Sequence, residues 1–291
     1  MEIFSKKIKK DALAVMLFIG VSLCLQLFTS PSLASKETLE VWVFDVGQGD
    51  AIFINAPEMQ ILIDGGGSSV ILEKLTAVMP FWDRSIDLVV NTHPHADHYV
   101  GLISVLERYD VDEVWTTGLE SRSEAFHYFK DLTESESSVF KGEVEDDYSF
   151  DLGSGVMLEV IWPGDALDGQ YFEDPNDASI TTLLTYGDTT ILLTGDIGVD
   201  QEVEILTDLE HVDVLKVGHH GSRTSTSVDL LKAITPDYAI ISLGENSYGH
   251  PHEVVLDRLN AFGSIILRTD LDGDVRIATS GEEPSLAIFD L

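Results

Sequence analysis

Three histidines and an aspartate, His93, His95, Asp97 and His98, fall within six residues of the stretch NTHPHADH. Imidazole nitrogens and carboxylate oxygens are ordinary donors for zinc and related divalent ions. Pro94 restrains the loop between the first two histidines, so His93 and His95 can point the same way. Asp97 and His98, adjacent in the chain, can then address a second point. Two neighbouring donor groups are what a pair of ions ~3.5–4 Å apart requires. A lone histidine here would read as a polar contact at a helix start; four donors at this spacing read as ligands.

More donors close other apolar runs. Asp196 ends TTILLTGD, with Gly195 permitting close approach. An unpaired buried carboxylate is costly, so a ligand role competes with one other, the N-cap of a helix starting near Gly198. His219 and His220 follow VDVLKVG, and His250 and His252 lie in YGHPHE. His127 and His211 sit in acidic surroundings and read as solvent-facing. Cys24 is the single cysteine, so past it neither a disulfide framework nor a thiolate metal site is available. Two tempting motifs fail. VGQGDAI lacks the third glycine and the helix of a dinucleotide loop and reads as a hairpin turn. TDLDGD lacks the full calcium-loop pattern and reads as a tight turn.

The elements that must position these donors alternate along the chain. LEVWVFDV, AIFINA and QILIDGG read as strands joined by tight turns, Val70 to Met79 as a helix and IDLVVNT as a buried strand. NTHPHADH is then the loop at the end of that strand, where open α/β sheets place ligands. YVGLISVLERY reads as a helix, VDEVWTT as a strand and Ser121 to Thr133 as helical. The acidic run through Asp147 reads as a solvated loop or hairpin. MLEVIWPG, SITTLLTYG, TTILLTGD, VDVLKVG, DYAIISLG and SIILRT are strands, separated in the second half by helices GVDQEVEILTDL, SVDLLKAI and EVVLDRLN. Sheets covered by helices on their outer faces follow, in a single α/β domain over residues 38–291.

Residues 1–34 stand apart. Lysines, a long apolar run and then small residues give the order of a secretory signal, with cleavage before Ser35; an uncleaved membrane anchor is the competing reading. Either places the remainder in the cell envelope or outside the cell. No second long apolar segment exists, so no transmembrane channel is expected in this chain. The formal charge is −34 with only 17 Lys plus Arg. Such self-repulsion is screened by salt, which suits a salt-adapted host; an ordinary acidic secreted protein is the competing reading.

Taken in order, VFDVGQGDAIFI, ILIDGGG, NTHPHADHYVG, LLTGD, LKVGHHGS and YGHPHE resemble the metallo-β-lactamase superfamily. The closest resemblance is to its ComEC-type branch, the hydrolase domain attached to the competence DNA-uptake channel. That resemblance implies a four-layer αββα sandwich with a binuclear site along one edge. It implies two divalent ions, Zn²⁺ or Mn²⁺, with His93 and His95 on one, Asp97 and His98 on the other, and Asp196 bridging. It favours His220 over His219 as ligand of the second ion, leaving His219 to touch substrate or shuttle a proton. Asp64 resembles the aspartate that braces the ligand loop, with a simple turn role as the competing reading. One departure is plain: β-lactamases carry a third histidine between HxHxDH and the bridging aspartate, and here Asn176 stands near that place, with Ser179 just after it.

The implied reaction is hydrolysis by a hydroxide shared between the ions, most consistent with a phosphodiesterase or nuclease. His219 or His250 would protonate the leaving alkoxide. Ser222 and Arg223 are candidate phosphate contacts alongside Asn176 and Ser179, against the alternative of an exposed polar loop. DNA is the implied partner, yet no basic groove is evident, and phosphate binding normally rests on cations. The alternatives are a β-lactam or other ester hydrolase and a non-catalytic metal-binding module.

Overall fold

The computed structural model describes residues 38–135, 140–143, 148–163 and 172–291. Residues 1–34, read above as a secretory signal or anchor, lie outside the described residues. Thr38–Leu291 form one compact unit.

The strands of the first half are β1 (Leu39–Val43), β2 (Ile52–Asn55), β3 (Gln60–Ile63), β4 (Ser85–Val90), β5 (Asp110–Thr116) and β6 (Phe140–Glu143). Those of the second are β7 (Tyr148–Asp151), β8 (Val156–Trp162), β9 (Thr181–Tyr186), β10 (Thr189–Leu193), β11 (Val214–Lys216), β12 (Tyr238–Ile241) and β13 (Ile265–Arg268). Two more, β14 (Asp274–Thr279) and β15 (Ser285–Phe289), close the chain. The helices are α1 (Ile71–Val78), α2 (Ala96–Leu106), α3 (Glu124–Ser135), α4 (Val199–Ile205), α5 (Val228–Ile234), α6 (Glu253–Phe262) and the single turn α7 (Thr269–Asp272).

An eight-stranded sheet runs β15-β14-β1-β2-β3-β4-β5-β6, and a seven-stranded sheet runs β13-β12-β11-β10-β9-β8-β7. Each fuses an antiparallel block to a parallel one: β3 to β6 are parallel in the first, and β10 to β13 in the second. Pleating explains the layers, since successive side chains leave opposite faces of a strand. In β2, Ile52 and Ile54 join the core between the sheets while Phe53 joins the outer one; in β10, Ile191 and Leu193 point inward and Leu192 outward. The outer face of the first sheet is covered by Leu75 of α1, Leu102 of α2 and Phe129 of α3. Ile205 of α4, Leu231 of α5 and Leu259 of α6 cover the second. Three apolar layers therefore separate four layers of structure, the expected αββα sandwich.

Several local readings need correction. The acidic stretch is not one hairpin: β6 edges the first sheet and β7 the second, so the chain passes there from one sheet to the other. The ligand loop is shorter than read, because α2 begins at Ala96 with His95 as N-cap residue; Asp97 and His98 ride on its first turn. TDLDGD contains the helical turn α7, and Asp274 there is buried against Lys74 at 2.9 Å.

Candidate metal centre

Strand β4 delivers Asn91 to His95 to the edge of the first sheet, and β10 to β12 deliver Asp196, His219–His220 and the 244–252 loop to the edge of the second. Both sets follow the carboxyl ends of parallel strands, where backbone groups leave the ladder and side chains converge. The two edges meet at Asp196. Its Oδ2 lies 3.4 Å from His98 Nε2, 3.4 Å from His220 Nε2 and 4.0 Å from His93 Nε2. Asp97 Oδ2 lies 3.5 Å from His220 Nε2. Asp196 is not a helix cap; Gly198 takes that position for α4.

Each central histidine is held from behind. His98 Nδ1–H donates to Asp64 Oδ2 at 2.7 Å, and His220 Nδ1–H to the Ser242 carbonyl at 2.9 Å. His93 Nδ1 meets the hydroxyls of Thr92 and Ser179, each at 3.1 Å. Fixing Nδ1 leaves Nε2 as the forward atom, the arrangement by which outer partners orient metal-ligating imidazoles. Asp64 is itself fixed, accepting from Thr92 N at 2.9 Å and Thr92 Oγ1 at 2.6 Å.

The residues fit a metal. His98 Nε2, His220 Nε2 and Asp196 Oδ1 are buried yet make no well-directed hydrogen bond. Buried polar atoms are otherwise almost always paired. His93–His98–Asp196 and Asp97–His98–His220 each bring three donor atoms within 4.8 Å of one another. His95 completes no such trio, although its Nδ1 is 3.1 Å from His93 Nε2 at the cleft rim.

Electrostatics tells the same story. Burial would raise the Asp196 carboxyl, but His220 and His98 beside it hold it well below the carboxylate range. Burial opposes charge on His98 and His220, but Asp196 with Asp64, and Asp196 with Asp50, raise both well above the ordinary imidazole value. His93 is pushed down by its burial and by His98. Without cations, this carboxylate cluster draws protons onto two of its histidines.

In front lies a cleft of about 470 Å³ bordered by Gln48, Asp97, Asn176, His219, Tyr248 and His250. His219, half-buried, sets Nε2 3.5 Å from Asn176 Nδ2 and 4.0 Å from Asp196 Oδ2. Asn176 sits on a short 3₁₀ turn, Pro175–Ala178, with its Oδ1 buried and unpartnered. His250 packs against His219 with ring centroids 5.6 Å apart. Burial pushes His250 down to about 4, and burial also lowers His219.

Three expected substrate contacts lie elsewhere. Ser179 is fully buried behind His93, and Ser222 is buried with its hydroxyl on Thr224 Oγ1 at 2.9 Å. Arg223 is exposed beside His252, 3.4 Å from its Nε2, outside the cleft lining.

The sequence reading passed over Asp50 and Lys216. Asp50, in the β1–β2 loop taken for a plain turn, is buried, ion-paired with the buried Lys216 and 3.5 Å from His220 Nδ1. A lysine inside the apolar strand VDVLKVG was the available signal, since a buried ammonium demands a partner. Gly49 belongs to the same device: at φ +121°, a Cβ there would stand 1.9 Å from the Asp97 carbonyl.

The family model of the metallo-beta-lactamase superfamily matches residues 44–245. Among curated relatives, ComE operon protein 3 of Bacillus subtilis is 30% identical over 318 residues, covering 97% of this chain and 38% of the relative. Recombination protein 2 of Haemophilus influenzae is 31% identical over 252 residues, covering 84% and 29%. The chain thus spans about a third of the length of these relatives. Among solved structures, the metallo-beta-lactamase fold protein YhfI from Bacillus subtilis superposes with TM-score 0.54 at 12% identity, covering 79% of this chain and 97% of that one. The diiron beta-hydroxylase CmlA from Streptomyces venezuelae gives 0.53 at 16%, covering 83% and 54%. These are likenesses of fold.

Proposed function

The chain belongs to the metallo-beta-lactamase superfamily, is related to competence proteins, and from that premise we propose that it is a binuclear metal-dependent phosphodiesterase acting on nucleic acid at or beyond the cell envelope. One observation carries the reading: forward-facing Nε2 atoms of His93, His98 and His220 surround a single Asp196 oxygen at 3.4–4.0 Å. His93, His95, Asp97, His98, Asp196 and His220 would hold two divalent cations, Zn²⁺ or Mn²⁺. When bound, such ions supply Lewis acidity and lower the pKa of water toward neutrality.

The remaining work falls to the chain. Asp64 orients His98, and the Ser242 carbonyl orients His220. His219, at the cleft beside Asp196 and Asn176, would shuttle a proton between solvent and substrate. The half-open cleft admits solvent to the leaving oxygen. Asn176, in place of a third histidine, would offer an amide oxygen where β-lactamases have an imidazole and would leave the site more open. That openness and the competence relatives favour phosphodiesters over β-lactams. The basic, apolar and small-residue order of residues 1–34 supports export.

The test is metal analysis of the purified chain, with turnover of bis-p-nitrophenyl phosphate, single-stranded DNA and nitrocefin in Mn²⁺ or Zn²⁺, at low and molar salt. Metal-dependent phosphodiester cleavage without nitrocefin hydrolysis is expected. Nitrocefin turnover alone would make it a β-lactam hydrolase, and bound metal with no turnover would leave a binding module.

A further inference from the structure

Apart from the ions that the centre would hold, the described residues of the cleft offer no positive charge to grip a phosphate chain. Among the described residues, no lysine or arginine lines it, while Asp97 and Asp174 do. Nucleic-acid affinity ordinarily comes from cationic contacts with phosphates. Beyond those ions, the flanking nucleotides must be held by contacts other than charge.

Tyr248 stands at the mouth, 68% exposed. Its ring lies 5.7 Å from that of His250 at 32°, and His250 packs edgewise on His219 at 5.6 Å and on His252 at 5.1 Å. The result is an aromatic wall leading from solvent to the Asp196 edge. An exposed tyrosine on a loose loop would mean little, but this loop is fixed. Asn246 Oδ1 accepts from the backbone N–H of Tyr248, Gly249 and His250 at 3.0–3.1 Å. Asn246 Nδ2 donates to the carbonyls of Gly244 and His250 at 2.9 and 3.0 Å. At the loop's base, a Cβ on Gly244 would meet Gly47 and Gln48 backbone at 2.5–2.6 Å, so the loop rests on the β1–β2 connection. One side chain organises the turn, and the turn holds a bare aromatic face beside the reacting centre.

We propose that this wall is a base-stacking subsite: the substrate is a single-stranded nucleic acid whose unpaired base stacks on Tyr248 while its phosphodiester enters the cleft. The inference rests on the phosphodiesterase reading above. Stacking on an aromatic side chain suits any base and needs no cation, and it is worth about tenfold or more in affinity per base. Bases in a duplex are already stacked and cannot lie on the ring. A cleft of about 470 Å³ takes a nucleotide-sized ligand rather than a helix.

The experiment compares a short thymidine oligonucleotide, an abasic strand of equal length and a duplex, using the metal-loaded full chain. Cleavage gives kcat and KM, and fluorescein anisotropy reads binding independently of turnover. The wild type should favour the thymidine strand over the abasic strand about tenfold, through KM and in anisotropy, and over the duplex. Tyr248→Ala should bring the thymidine-to-abasic ratio toward one, and Tyr248→Trp should keep it. Equal handling of the two strands by the wild type, an unchanged ratio in Tyr248→Ala, or preference for duplex would each overturn the subsite. Retained binding preference with no cleavage of any strand would instead remove the phosphodiesterase reading and leave the subsite standing.

Discussion

The two sheets build unequal halves of the centre. The first contributes His93, His95, Asp97 and His98 from one β4–α2 connection, braced by Asp64 from the adjacent β3 end through 2.6–2.9 Å hydrogen bonds. The second contributes one donor per strand end, Asp196 after β10 and His220 after β11. Its brace is shared: the Ser242 carbonyl after β12 holds His220 Nδ1, while Asp50, which pairs with Lys216 and approaches His220, comes from the first sheet's β1–β2 loop. The first half is braced mainly from within its own sheet, whereas the second draws a buried ion pair across the sandwich. The halves should therefore fail differently.

Asp196 is the point they share, and Asp196→Ala should have the largest effect. With its oxygen gone, His93, His98 and His220 lose their common partner, and activity should fall by about 10³-fold or more. The hydrophobic layers lie behind the site, so circular dichroism should remain native. An active Asp196→Ala protein would dissolve the idea of a shared edge.

Next comes the cross-sheet brace. Lys216→Met leaves the buried Asp50 carboxylate without its cation, which should destabilise the fold by ~3–5 kcal/mol. Asp50→Asn combined with Lys216→Met removes both charges and should recover much of that loss, because an unpaired buried charge costs more than a neutral pair. Urea melts in molar salt measure both, with salt suppressing general repulsion in so acidic a chain. Asp64→Ala, confined to the local half, should instead weaken metal affinity by roughly 10–100-fold. Additive effects of the two brace substitutions would show that they do not act as a pair.

That contrast also explains what was legible in the sequence. The donors of the first half sit within six residues on a chain whose apolar runs mark the strands, so motif and fold class could be read together. Asp196 was legible because a carboxylate ending an apolar strand demands a reason. Asp50 was not, since its partner lies in a different sheet and a turn aspartate has an ordinary local explanation. Ser179 and Ser222 were misplaced for the complementary reason: a hydroxyl near a motif gives no sign of which way it faces, and burial alone turned both from the cleft. The state of His250 depends on packing against His219 and His252, which no spacing reveals.

Proton linkage should separate the metal-free and loaded proteins more gently. In the stripped protein His98 and His220 titrate well above their ordinary 6.5, so their stabilisation is complete below that value and lost as pH rises through the raised ones. His93, His219 and His250 are lowered, so stability is also lost as pH falls below 6.5 and they must charge. The melting temperature of chelated protein should therefore peak near 6.5 and decline on both sides. Cations replace the protons on His98 and His220, so the loaded protein should lose the alkaline decline, and loading at neutral pH should release protons to a weakly buffered solution. A flat alkaline limb in stripped protein would mean that those histidines are already neutral.

The smallest expected effect tests whether the second half stores strain. His219 and His220 both take left-handed backbone angles, φ 47° and 53°, which disfavour residues with a Cβ by ~1–2 kcal/mol each. Holding two side chains this way turns one imidazole back to the Asp196 edge and the other into the cleft. His219→Gly relieves one strained position but adds freedom to the unfolded chain worth roughly 0.5–1 kcal/mol, so net stability should rise by less than ~1 kcal/mol. Activity should fall, because the imidazole at Asn176 and Asp196 is gone, while metal content should hold, because His220 keeps its Ser242 anchor. His219→Ala keeps the strain and lacks the ring, so it should lose activity equally yet melt lower than the glycine variant. If the two variants melt alike, the left-handed pair carries no strain.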